Sequence, residues 1–82
     1  MDQTARTAQQ LGATLRRYRK KNGLTQGDLG ALINKRQATL SNLESGDGGT
    51  LETLLAVLAA LDLELVVRPR GKASATDLRD IF

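Results

Sequence analysis

The sequence contains no cysteine, no histidine and no tryptophan, and it has a single phenylalanine and a single tyrosine. Without cysteine, neither a disulfide nor a thiolate nucleophile can form, and without cysteine and histidine the usual zinc ligands are missing. The lack of histidine also excludes a serine–histidine pair and an imidazole base. We therefore expect a protein that is not an enzyme and that uses no cofactor or metal.

Long apolar runs are absent as well. No run approaches the roughly 18 to 20 residues that span a bilayer, and the first ten residues, MDQTARTAQQ, lack the apolar segment of a signal peptide. We expect a cytoplasmic protein with no membrane partner. With so few aromatic residues, the core must be built from Leu, Val, Ile and Ala, which favours a helical fold, and 82 residues are enough for one modest core.

The charge is small in total but unevenly distributed. The net charge is +3, yet residues 1–46 hold eight Lys and Arg against three Asp and Glu, whereas residues 47–82 hold four against six. The two parts therefore carry +5 and −2. This asymmetry points to a polyanion as the partner of the first part, although an excess of this size is also common in proteins that bind nothing charged.

Apolar spacing and capping residues predict a first and a last helix. The first runs from Ala8 to about Lys21 and stops at Gly23, and the last is capped by Thr50. The apolar stripe of the last helix is assigned to the core: Leu51, Leu54, Leu55, Leu58 and Leu61. The last turns of the first helix hold five cations, Arg16, Arg17, Arg19, Lys20 and Lys21. These form either a solvated helix end or a surface that contacts phosphate.

Residues 24–44, LTQGDLGALINKRQATLSNLE, predict two short helices joined by a tight turn. Thr25 and Asp28 have the spacing of a capping box, which starts the first of the two. Gly30 lets another helix approach closely, and Asn34 ends the helix because it tolerates the left-handed conformation. The arrangement predicts a helix-turn-helix, with a helical hairpin in a small bundle as the alternative.

The second of these short helices, about Arg36 to Glu44, buries Leu40 and Leu43 on one side. Lys35 and Arg36 occupy its start, where the macrodipole is positive and a Ser, Thr or Asp cap is usual. Two cations there cost about 1 kcal/mol relative to a good cap, so an external anion is expected to compensate. DNA phosphates and guanine edges provide such a partner.

Residues 63–68, LELVVR, change to an alternating pattern that predicts one short strand, ended by Pro69. No second strand candidate exists in the sequence, and a lone strand leaves its backbone unpaired. We therefore expect the strand to pair with its symmetry mate in a two-fold homodimer. The residues assigned to this dimer strand are Leu63, Leu65, Val66 and Val67.

The helix-turn-helix stretch resembles the lambda-repressor-like (XRE/Cro) family through G-L-T-Q, then small-x-x-L/I, then x-x-A-T-L-S-N-L-E. More narrowly, K-R-Q-A-T-L-S-N-L-E, the first-helix pattern Q-L-G-A-T-L-R and the strand after the last helix are similar to the HipB-type antitoxins, over roughly residues 8–68. The resemblance implies a dimeric antitoxin that represses its own operon and holds a HipA-type serine/threonine kinase toxin inactive. The kinase partner rests on the resemblance alone.

The resemblance also assigns candidate DNA contacts. By motif position Gln26 is similar to a phosphate-contacting glutamine, whereas Leu32 departs from the family, which usually has a polar residue there. Arg36 is added because a bidentate arginine to guanine is the commonest specific contact, and Lys35 because it lies at the same helix start. The second short helix corresponds to the recognition helix of the family, and its candidates are Gln37, Ala38, Ser41 and Asn42, with Thr39 contacting either the DNA backbone or a base.

The last residues, GKASATDLRDIF, form a small-residue linker and a possible helical turn. Leu78, Ile81 and Phe82 would share one side of that turn and are candidates for docking onto a toxin, and the alternative is a disordered tail. We divide the chain into a DNA-binding and dimerisation domain, residues 1–70, and a tail, residues 71–82.

The predicted fold is mainly α: a four-helix lambda-repressor-like helix-turn-helix domain followed by one strand that pairs across a homodimer. The leading hypothesis is an autorepressing antitoxin that binds palindromic double-stranded operator DNA and a HipA-type kinase toxin. The alternatives are a stand-alone or prophage XRE-family regulator without a toxin, and a protein-interaction module that no longer binds DNA. The cationic helix start argues against the last of these.

Overall fold

A computed structural model describes residues 2–70, and these residues form four α-helices. They are α1 (Ala8–Lys21), α2 (Gln26–Ile33), α3 (Gln37–Ser45) and α4 (Leu51–Ala60). Helix α3 packs against α1 and α2, and α4 packs mainly against α2.

Within residues 2–70, no helix is long and apolar enough to cross a membrane. The mainly α, helix-turn-helix prediction is confirmed. The proposed docking residues Leu78, Ile81 and Phe82 lie outside the described residues.

The predicted caps of α2 and α4 are present. The Thr25 hydroxyl accepts a hydrogen bond from the Asp28 amide at 3.0 Å, and the Asp28 carboxylate accepts one from the Thr25 amide at 2.9 Å. Asn34 ends α2 with φ 58° and ψ 47°, the left-handed conformation. The Thr50 hydroxyl accepts from the Thr53 amide at 3.1 Å. Each cap satisfies amides or carbonyls that the helix itself leaves free.

The core is formed by one apolar residue of each of α1, α2 and α3, by two residues of α4 and by the residue that caps the end of α4: Leu15, Leu29, Leu40, Val57, Leu58 and Leu61. Our assignment of the whole α4 stripe to the core was wrong for Leu51 and Leu55, which are 65% and 47% exposed. Because α4 packs mainly against α2, only part of its surface is covered. Thr53 is buried on that covered side.

The predicted strand is not formed in a single chain: within residues 2–70, the segment 63–69 belongs to neither a helix nor a strand. The Leu63 amide donates to the Leu58 carbonyl at 2.7 Å and so closes the end of α4. Beyond it, Leu65, Val66 and Val67 are exposed, Val67 at 91%. A strand requires a second backbone for its ladder, so pairing between two copies stays a prediction.

Candidate nucleic-acid interface

Helix α3 begins without a side-chain cap, as the sequence predicted. Arg36 is the N-cap residue, with φ −75° and ψ 154°, and within the described residues no side chain bonds to the amides of this turn. The Arg36 carbonyl accepts from the amides of Thr39 and Leu40 at 3.0 and 3.4 Å. Lys35 and Arg36 are both exposed. The positive end of α3 therefore presents unsatisfied donors next to two cations, which is an arrangement that attracts an anion.

The outward side of α3 carries the candidate DNA contacts that were predicted on this helix, except Thr39. Gln37, Ala38, Ser41 and Asn42 are exposed, whereas Leu40 and Glu44 are buried on the inner side. Thr39 is half-buried. Because residues 37, 38 and 41 lie within one turn of one another on the helix surface, they form one face that can enter a groove of a partner.

The structure brings part of this face together with the start of α2. An open groove of about 480 Å³ lies between α1, α2 and α3, and Gln26, Gln37 and Ser41 line it together with Arg16 and Ser45. Lys35, Arg36, Ala38 and Asn42 are exposed but do not line the groove. Of the five cations in α1, Arg16 and Arg19 line the groove. The Arg16 side chain is exposed, so it can contact a ligand bound beside Gln37 and Ser41, whereas Arg19 is buried.

Arg19 is not part of that exposed cationic surface, and our interpretation of it as solvated or phosphate-contacting was wrong. Its guanidinium is buried against Glu44 in a bidentate pair, with Nε donating to Glu44 Oε2 at 2.6 Å and Nη2 donating to Oε1 at 3.0 Å. These hydrogen bonds to the carboxylate raise the pKa of Arg19 above its usual value. The pair joins the end of α1 to the end of α3 and removes one positive charge from the surface.

The same carboxylate connects to the start of α2. Gln26 Nε2 donates to Glu44 Oε1 at 3.2 Å, and Arg19 Nη1 donates to the Leu24 carbonyl at 2.8 Å. Reasoning from the sequence missed Glu44 as a site residue, because its partners lie 18 and 25 positions earlier in the chain. A local pattern contains no signal for a contact at that separation.

Comparison with known proteins gives consistent results. The family model HTH_3, described as helix-turn-helix, matches residues 15–67. Antitoxin HipB of Escherichia coli (strain K12) is 36% identical over 66 residues, which cover 79% of this chain and 75% of that protein. Among solved structures, a HipB-O4 20mer complex and a HipA-HipB-O2-O3 complex each align with a TM-score of 0.76 at 33% identity, covering 87% of this chain and 100% of the matched chain.

Proposed function

Since this chain belongs to the HTH_3 helix-turn-helix family and is a relative of the HipB antitoxins, we propose that it is an autorepressing antitoxin. It binds palindromic operator DNA as a homodimer and holds a HipA-type kinase toxin. The observation that carries the DNA-binding half of this proposal is the uncapped, cationic start of α3 with an exposed polar face behind it. A solvated bundle helix would gain from a capping residue at that position.

In the proposed complex α3 enters the major groove of DNA. Arg36 and the exposed residues of α3 reach base edges, and the start of α2 meets the phosphate backbone through Gln26. Arg36 is suited to guanine because its guanidinium can donate two parallel hydrogen bonds. The remaining proposed contacts are Lys35, Gln37, Ala38, Thr39, Ser41 and Asn42, with half-buried Thr39 the least accessible of them.

Two copies of the chain are proposed to pair through the segment that follows α4. Leu65, Val66 and Val67 are exposed and extend from the end of α4, and Leu51 and Leu55 add further exposed apolar surface on that helix. Apolar surface of this kind is typical of a face that is covered in an assembly. A two-fold dimer would place its two α3 helices in successive major grooves, about 34 Å apart.

The DNA-binding proposal is tested with Arg36. We expect Arg36→Ala to weaken binding to the palindromic operator by about 1 to 3 kcal/mol and to relax sequence discrimination at the contacted base pair. Arg17→Ala is the matched control, because it removes the same charge from an exposed side chain that bonds instead to Gln3 at 3.1 Å. Equal Kd changes for the two variants in a gel-shift titration would contradict the proposed docking.

Arg36→Ser separates binding from stability. A serine at this N-cap would supply the missing cap and is expected to stabilise the fold by about 1 kcal/mol, while DNA affinity falls because the guanidinium is gone. Thermal unfolding and gel shift on the same preparation measure the two effects. A variant that is both less stable and weaker in binding would show that Arg36 has a structural role at this helix start.

The toxin half of the proposal rests on the HipB relatives, one of which is solved as a HipA-HipB-O2-O3 complex. This half of the proposal is tested by co-expressing the chain with the kinase gene of its operon and purifying the chain by affinity chromatography. Recovery of the kinase in a stable complex that lacks kinase activity supports the antitoxin role. Recovery of DNA without a kinase would instead leave a stand-alone regulator.

A further inference from the structure

The Arg19–Glu44 pair is almost completely removed from solvent. Arg19 is 6% and Glu44 8% exposed, and every nitrogen of the Arg19 guanidinium donates a hydrogen bond at 2.6 to 3.0 Å. Replacing such a buried pair by well-packed apolar residues is often neutral or stabilising. Stability alone therefore gives a weak reason for this chain to bury two opposite charges between the end of α1 and the end of α3.

One atom of the pair reaches the candidate DNA surface. Glu44 Oε1 accepts from Arg19 Nη2 and also from Gln26 Nε2, at 3.0 and 3.2 Å. Gln26 is the first residue of α2 and lines the groove that it shares with Gln37 and Ser41. A glutamine side chain at a helix start has several rotamers, and the bond to Glu44 selects among them.

We propose that Glu44 is a positioning residue for DNA binding, which acts by fixing the Gln26 side-chain amide. This inference rests on the proposed function. One amide hydrogen is used by Glu44, and the second remains to donate to a phosphate oxygen, since phosphate accepts hydrogen bonds and donates none. A group held in its binding geometry by a neighbouring hydrogen bond loses less conformational freedom when the ligand arrives.

Arg19 makes this arrangement compatible with a polyanion. An unpaired carboxylate beside a phosphate-binding groove would repel DNA, whereas the bidentate guanidinium neutralises the charge of Glu44. The carboxylate can then orient Gln26 without opposing the approach of DNA. Arg19 is thus a second positioning residue, one step further from the phosphate.

The test uses a pair of substitutions that leaves the net charge unchanged. Arg19→Met with Glu44→Met removes one positive and one negative charge, keeps apolar length in the core and removes the acceptor for Gln26. Operator Kd is measured for Gln26→Ala in the wild-type background and in this double variant, as a thermodynamic cycle. Gln37→Ala in both backgrounds is the matched control, because within the described residues the Gln37 side chain bonds to no other side chain.

We expect Gln26→Ala to weaken operator binding by about 10-fold in the wild-type background, the size typical of a lost hydrogen bond to a charged group, and by less than about 2-fold in the double variant. The Gln37→Ala penalty should be the same in both backgrounds. A Gln26→Ala penalty that is equal in both would overturn the positioning role. If both glutamine penalties fall together, α3 has moved, and the pair has only a structural role.

A second measurement does not depend on DNA or on the folding of a variant. In the nuclear magnetic resonance spectrum of the free wild-type protein, the Gln26 side-chain amide should exchange its protons with water more slowly than that of Gln37, because it is hydrogen-bonded to Glu44. Equal exchange rates would overturn the proposal. Failure of the wild-type protein to bind any palindromic duplex, with Gln26 still protected, would instead refute the proposed function and leave the Glu44–Gln26 bond established.

Discussion

The close approach of α1 to α3 can be tested at Gly12. This glycine is buried in the middle of α1, and a Cβ atom added to it would overlap the Glu44 carbonyl oxygen, which is the nearest atom, and would lie 2.6 Å from the Leu43 carbonyl oxygen. Both neighbours belong to the main chain of α3, so no side-chain rotation can relieve the overlap. Gly12→Ala therefore forces α1 and α3 apart.

Two effects of opposite sign decide the result. Alanine favours a helix interior by about 1 kcal/mol relative to glycine. Overpacking a core costs about 1 to 3 kcal/mol, and we expect the upper end here because main-chain atoms are in the way. The net loss is then about 2 kcal/mol in the free energy of unfolding, which lowers Tm by about 8 to 16 °C in a domain of this size.

Gly27→Ala is the matched control. A Cβ atom at Gly27 would meet only the Thr25 hydroxyl oxygen at 3.7 Å, an ordinary contact, so the helix preference is unopposed and stability should rise by up to about 1 kcal/mol. Thermal and urea unfolding are followed by circular dichroism at one fixed protein concentration, because assembly makes Tm depend on concentration. A Gly12→Ala protein as stable as the wild type would refute the packing of α1 on α3.

Three further predictions concern acid stability, assembly and salt. Hydrogen bonds from the Thr25 amide and hydroxyl lower the pKa of Asp28 below its ordinary 3.8. The capping box therefore stabilises the fold fully above pH 3.8 and loses its effect as pH falls through the lowered pKa. Asp28→Asn should reduce the acid-induced loss in the free energy of unfolding measured with urea, and an unchanged loss would contradict the assignment. If two copies pair through residues 63–68 as proposed, Val66→Pro removes a backbone donor and should weaken the pairing, whereas Val66→Ala should not. Sedimentation of the wild type as a monomer at micromolar concentration would exclude strand pairing. Operator affinity should fall steeply and linearly in a plot of log K against log salt, and a flat plot would exclude phosphate contacts.

Much of the fold was predictable because it depends on short-range chemistry. The capping box of α2 and the left-handed Asn34 involve atoms within a few residues of one another, so the sequence pattern predicted them correctly. The residues that lie on the outward side of α3 were also predicted correctly, since helical spacing fixes which side chains share a side of a helix. Their contacts with DNA remain predictions, because location on a face does not establish binding.

By itself, the sequence determined the capped starts of α2 and α4, the end of α2 at Asn34, which residues of α3 point away from the core and that the start of α3 lacks a cap. Only the tertiary structure decided that Arg19 is buried against Glu44 instead of lying with the surface cations, that Gly12 must remain small, and that Leu51 and Leu55 stay outside the core. The physical reason is the range of the interactions. Caps and helical faces are set by neighbours along the chain, whereas burial and ion pairing are set by whichever helix packs alongside.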